Sequence, residues 1–102
     1  MALGKMGFVD LRVFVFDADM DRLVENAALE VWRISRRGGD LDDQAEEMLR
    51  HRSVERALEC FVELPEVRER LAVFCRFPRA VQRRSLVYTG KVIQQERRAA
   101  AA

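Results

Sequence analysis

From Met20 to Ile34 the apolar residues Met20, Leu23, Val24, Ala27, Ala28, Val31 and Ile34 recur at i, i+3, i+4 and i+7. This spacing commits the segment to a helix that buries a single stripe. The ends agree with it. Asp19 and Asp21 stand where an N-cap and a first-turn anion are favoured, Arg36 and Arg37 stand in the last turn, and Gly38-Gly39 supplies the stop. Leu29 and Trp32 fall beside the stripe. A tryptophan on that flank packs against a neighbouring element or serves a partner surface, which makes Trp32 a candidate partner-binding residue.

Around this helix the chain divides readily. Phe8 to Phe16 is rich in valine and phenylalanine with weak alternation, and reads as a strand apolar enough to be covered on both faces. Asp40 is positioned to cap a second helix through Leu41, Ala45, Met48 and Leu49, with a break near His51-Arg52-Ser53 because the same phase would bury Arg52. Ser53 can then cap a segment whose face is Val54, Ala57, Leu58, Phe61 and Val62, ending before Pro65. Pro65 opens a further helix that aligns Val67, Leu71, Phe74 and Cys75, and Pro78 marks its end. The last residues, Gln94 to Ala102, have helix-forming composition without an apolar stripe. Residues 1–98 are thus expected to form one domain, with 99–102 an alanine tail.

Near the C-terminus, two apolar runs flank Thr89-Gly90 in the segment Gln82 to Ile93, a spacing that suits a tight β-hairpin. Helix is the alternative there, because Val81, Ser85, Tyr88 and Val92 also fall at helical spacing; Gly90 weighs against it by ~1 kcal/mol relative to alanine. The order Pro78, Gln82-Arg83, Leu86-Val87-Tyr88, Gly90-Lys91, Val92-Ile93 resembles the central strand pair of ubiquitin-like β-grasp domains, and Val67, Leu71 and Phe77 resemble the apolar positions of that family's helix. The likeness spans about residues 64–93. It departs from the family in two extra residues after Pro78, in one strand and a helical stretch where the opening hairpin belongs, and in lacking a closing strand and a diglycine tail. The resemblance implies that Val87 is the central apolar contact of a recognition surface, with Gly90 and Lys91 beside it; Tyr88 adjoins them. The expected fold class is α+β: a small, mostly helical domain with an N-terminal strand and a C-terminal β-hairpin, or an all-helical chain after the first strand.

The 102 residues are 49% hydrophobic and 34% charged, the composition of a folded domain with one modest core. No apolar run approaches the ~18 residues of a membrane span, so no membrane partner is expected. Cys60 and Cys75 are too few for a disulfide framework and too isolated for a zinc knuckle, and His51 has no second imidazole to share a metal with. The thiols read as buried groups in a reducing, cytoplasmic compartment. The net charge of +1 hides a division: residues 1–67 carry 9 basic and 15 acidic side chains, residues 68–102 carry 9 and 2. The basic end can be satisfied internally, by a second copy, or by nucleic acid.

Three patterns imitate catalytic chemistry. Phe14 to Asp19 is an apolar run ending in Asp-x-Asp, which resembles the nucleophile strand of haloacid-dehalogenase-like phosphatases and the metal-binding motif of nucleotide-sugar glycosyltransferases. The former need further motifs and a larger downstream domain; the latter need a nucleotide-binding region upstream, where only sixteen residues stand. Asp17, Asp19 and Asp21 also imitate the start of an EF-hand loop, yet Arg22 replaces the turn glycine and Ala28 the bidentate glutamate. Helix capping explains these carboxylates, His51 reads as a helix end, and no nucleophile has a recognisable partner. The expectation is a non-catalytic adaptor or accessory subunit without a cofactor, completed by a protein partner or by self-association. Its contact residues would be Trp32, Val87, Tyr88, Gly90 and Lys91. The alternative is nucleic-acid binding through Arg76, Arg79, Arg83, Arg84 and Lys91. A ribbon-helix-helix version of that alternative puts the wrong side chains on its strand, since Phe14 and Phe16 flank Val15.

Overall fold

A computed structural model describes residues 10–15 and 17–101. Among the described residues every regular element is helical: a 3-10 turn at Leu11–Phe14, then α1 (Ala18–Ser35), α2 (Ala45–Arg50), α3 (Arg52–Glu63), α4 (Pro65–Arg70), α5 (Ala72–Cys75) and α6 (Arg79–Ala101). This overturns the expected α+β class and the ubiquitin-like β-grasp resemblance. The described part of the expected first strand contains the 3-10 turn, while residues 8, 9 and 16 of that strand lie outside the described residues. The expected hairpin is the middle of α6, and the alternative helical reading holds for that segment.

α1 forms as its stripe requires. Val24, Ala27, Ala28, Val31 and Ile34 are buried, and Gly38 and Gly39 end the segment with φ of 89° and 91°, a region that side-chain-bearing residues seldom occupy. The cap lies two residues earlier than the sequence suggests. Asp17 accepts from the backbone N–H of Asp19 at 2.9 Å and of Met20 at 3.3 Å, leaving Asp19 and Asp21 as first-turn anions. α2 and α3 break at His51, whose extended backbone (ψ 127°) separates them. The imidazole Nδ1 sits 2.8 Å from Ser53 Oγ and caps α3, so histidine takes the position expected of serine. Pro65 opens α4, as its missing N–H favours. Leu71 (φ −104°, ψ 25°) then interrupts the helix before α5 while keeping Val67, Leu71 and Phe74 in the core.

The fold turns on the pairing of α1 with α6, the most extensive helix contact, with α3 packed against another side of α1 and α4 on α3. α6 runs antiparallel to α1. Its first turns place Arg84 near Asp42, beyond the end of α1; Gly90 crosses at Ala28 and Trp32; and Glu96 pairs with Arg12, ahead of α1. The buried face of α6 includes Gln82, Ser85, Leu86, Thr89, Gly90 and Ile93, a helical stripe made largely of polar and small residues. It is not the Val81, Ser85, Tyr88, Val92 line, of which Tyr88 is exposed and only Ser85 is fully buried. Hydrogen bonds satisfy much of this polarity. Gln82 Nε2 donates to the carbonyls of Phe74 (3.0 Å) and Phe77 (3.3 Å), closing the turn into α6.

Thr89 ties α6 to the N-terminal turn. Its hydroxyl donates to Ser85 O at 2.8 Å and accepts from the buried N–H of Leu11 at 3.0 Å, seventy-eight residues away. Thr89→Val keeps the shape but leaves that N–H without an acceptor. We expect a loss of about 1–2 kcal/mol, read by urea unfolding, because an orphaned buried donor costs its desolvation. Unchanged stability would show that the Leu11 turn does not depend on this contact.

Candidate functional site

Because α6 is a helix, Val87, Tyr88 and Lys91 lie within about one turn of one another along its outer side instead of alternating across a hairpin. The near approach of α1 brings Trp32 up beside them. Trp32, Leu41, Val87, Tyr88 and Lys91, with Asp40 and Arg84, line an open groove of about 420 Å³ whose walls are mainly apolar. Tyr88 is 40% exposed, a large ring left at the surface although the helix has a buried side to offer. Lys91 stands at the rim without an ion pair among the described residues, and Arg84 reaches Asp42 at 3.4 Å.

Four of the five contact residues expected from the sequence therefore converge. Gly90 does not line the groove. It is buried against Ala28 and Trp32, and its φ is not positive, so it serves spacing and not turn geometry. A Cβ at this position would stand 2.7 Å from Trp32 Cβ and 2.9 Å from the carbonyl carbon of Ala28. Only glycine lets the two backbones meet closely enough to set Trp32 beside Val87.

The arginines named for nucleic acid have different fates. Arg76 and Arg79 are exposed, Arg84 is half-buried, and Arg83 is buried with its guanidinium 3.9 Å from Asp42 and its Nε without a hydrogen-bond partner. Burial pushes the Arg83 pKa down, with Asp42 opposing the shift. Asp42 is thus the shared counter-charge of Arg83 and Arg84.

A second depression adjoins the first across Trp32 and has no counterpart among the sequence expectations. It is a cleft of about 620 Å³ between α1 and α6, lined by Leu29, Glu30, Trp32, Arg33, Arg36, Arg37, Gln94 and Arg97. Arg33 donates to Glu30 at 2.6 Å, His51 Nε2 lies 3.1 Å from the same carboxylate, and Arg37 pairs with Glu47. Arg36 and Arg97 carry no ion pair among the described residues. Arg36 and Arg37 read in the sequence as partners for a helix end, and Arg97 as part of a stripeless tail; only the antiparallel pairing joins them.

Other chemistry is sparse among the described residues. Cys60 and Cys75 are free thiols, Cys75 Sγ donates to Phe61 O, and burial pushes both thiol pKa values up. No group of three His, Cys, Asp or Glu side chains gathers where it could hold a metal, and no helix is long and apolar enough to cross a membrane. Compared with known protein families, curated proteins and solved structures, the chain matches none.

Proposed function

We propose that the protein is a non-catalytic interaction module whose Trp32–Tyr88 groove receives an amphipathic helix from a partner protein. The observation that carries this reading is the convergence of Trp32, Leu41, Val87 and Tyr88 on one open, apolar groove. A groove along one helix and beside the end of another suits an incoming helix with anchors at i, i+3/i+4 and i+7. Aromatic side chains at its centre supply large contact area for little lost rotamer freedom. Charge complementarity fixes the partner's flank. Asp40 and Lys91 both line the groove without an ion pair among the described residues, so the incoming helix sets an acidic residue against Lys91 and a basic one against Asp40 beside its apolar stripe. The nucleic-acid alternative has less to support it, since Arg83 is buried and Arg84 is drawn to Asp42.

Photo-crosslinking tests this. A photoreactive residue in place of Tyr88 is expected to capture one amphipathic helical segment that the same residue in place of Val73, exposed on α5, does not. A synthetic peptide of that segment should then bind the unmodified protein, and Tyr88→Ala should weaken it about tenfold or more. Equal capture from both positions, capture of a second copy of this chain, or no capture would overturn the reading.

A further inference from the structure

We propose that the arginine cleft on the far side of Trp32 binds a small ligand carrying linked phosphates. Four guanidiniums, Arg33, Arg36, Arg37 and Arg97, line a single cleft from two helices. Glu30 and Glu47 answer Arg33 and Arg37, which leaves Arg36 and Arg97 as an excess of two positive charges. The carbonyl end of α1 offsets only about half an elementary charge of that excess. Like charges held together without a counterion repel, and a bound polyanion removes the repulsion.

The donor geometry narrows the anion. Guanidinium forks match the paired oxygens of phosphate better than a spherical ion, and Arg36 and Arg97 line the same cleft from two helices, where linked phosphates offer more than one group to bind. At about 620 Å³ the cleft lies within the ~300–1,000 Å³ of small-molecule sites. Leu29 and the Trp32 indole supply an apolar side on which a base could rest, so the phosphates can be inorganic or nucleoside-borne. The cleft and the peptide groove lie on opposite sides of Trp32, and neither reading depends on the other.

Trp32 is the chain's single tryptophan, so its emission reports the cleft directly. Titration of the full chain at low salt with sodium tripolyphosphate is expected to change that emission saturably, and to weaken steeply as salt rises. The Arg36→Gln, Arg97→Gln double variant should raise the dissociation constant at least tenfold while keeping its circular dichroism, since neither side chain holds an ion pair among the described residues. Val73→Ala, exposed on α5 and lining neither depression, should leave the titration unchanged. A parallel titration with ATP separates the sources: equal affinity means that phosphate alone is read, and tighter ATP binding means that the base meets the Leu29 wall. Absence of saturable change up to millimolar tripolyphosphate, or equal binding by the double variant, would overturn the proposal. So would preference for a single-stranded oligonucleotide over both small ligands, which would make the cleft a nucleic-acid surface.

Discussion

Gly90→Ala is expected to destabilise the protein by about 2 kcal/mol, although alanine in a helix interior is worth ~1 kcal/mol more than glycine. The reason is the crossing of α6 over α1. The added Cβ would meet the Ala28 carbonyl oxygen most closely, then Trp32 Cβ at 2.7 Å and the Ala28 carbonyl carbon at 2.9 Å. Two of these atoms are backbone in the middle of α1, which cannot step aside as the tip of a side chain could. The helices must separate, and the contact that organises the fold loosens along its length. For a domain of this size the midpoint of thermal unfolding should fall by roughly 10 °C, and urea unfolding should show a matching loss. Separation would also withdraw Trp32 from Val87, so the Trp32 emission of the folded variant should shift. A variant more stable than the parent by ~1 kcal/mol, the outcome of helix propensity alone, would mean that the helices do not approach this closely.

This glycine also explains where the sequence misleads. Thr89-Gly90 between apolar runs has the composition of a tight turn, and nothing local distinguishes a glycine needed for positive φ from one needed for close approach. The rest of the buried face of α6 is equally silent. Gln82, Ser85 and Thr89 are polar, so apolar residues mark the buried face only at Leu86 and Ile93, about two turns apart; the burial of the polar three is legible only when the carbonyls of Phe74, Phe77 and Ser85 and the N–H of Leu11 are in place. α1 was legible because its stripe is wholly apolar, and Gly38-Gly39 because two positive-φ glycines follow a basic last turn. The Val-Phe run near the start imitates a strand, yet only Leu11 of its 3-10 turn is fully buried and Val13 is 55% exposed. Of the groove, Trp32, Val87, Tyr88 and Lys91 could be named before the fold was known, while Leu41 could not. The arginine cleft joins residues some sixty positions apart and had no local signature.

Phe74→Ala should have the larger effect, a loss of about 4 kcal/mol. Phe74 is 1% exposed on α5, a helix of four residues with almost no stability of its own. Its ring meets Phe14 edge-on at 5.3 Å and Phe77 at 6.2 Å, so one side chain fastens the 3-10 turn, α5 and the approach to α6. Truncation empties the centre of that cluster, and each aromatic contact adds about 0.5–1.5 kcal/mol to the lost burial. Set against a total of roughly 5–15 kcal/mol for a natural domain, this is enough to populate unfolded chains at ordinary temperature. Should Phe74→Ala fail to fold, Phe74→Leu supplies the measurement: it keeps most of the volume, loses the ring contacts, and is expected to cost about 1–2 kcal/mol by urea unfolding. Phe77→Ala should cost less than Phe74→Ala, since Phe77 is only partly buried and sits at one end of the trio. If Phe74→Ala and Phe77→Ala proved equally costly, the cluster would not be centred on Phe74, and the tie between the N-terminal turn and α6 would have to run through other contacts, the Thr89 hydroxyl foremost.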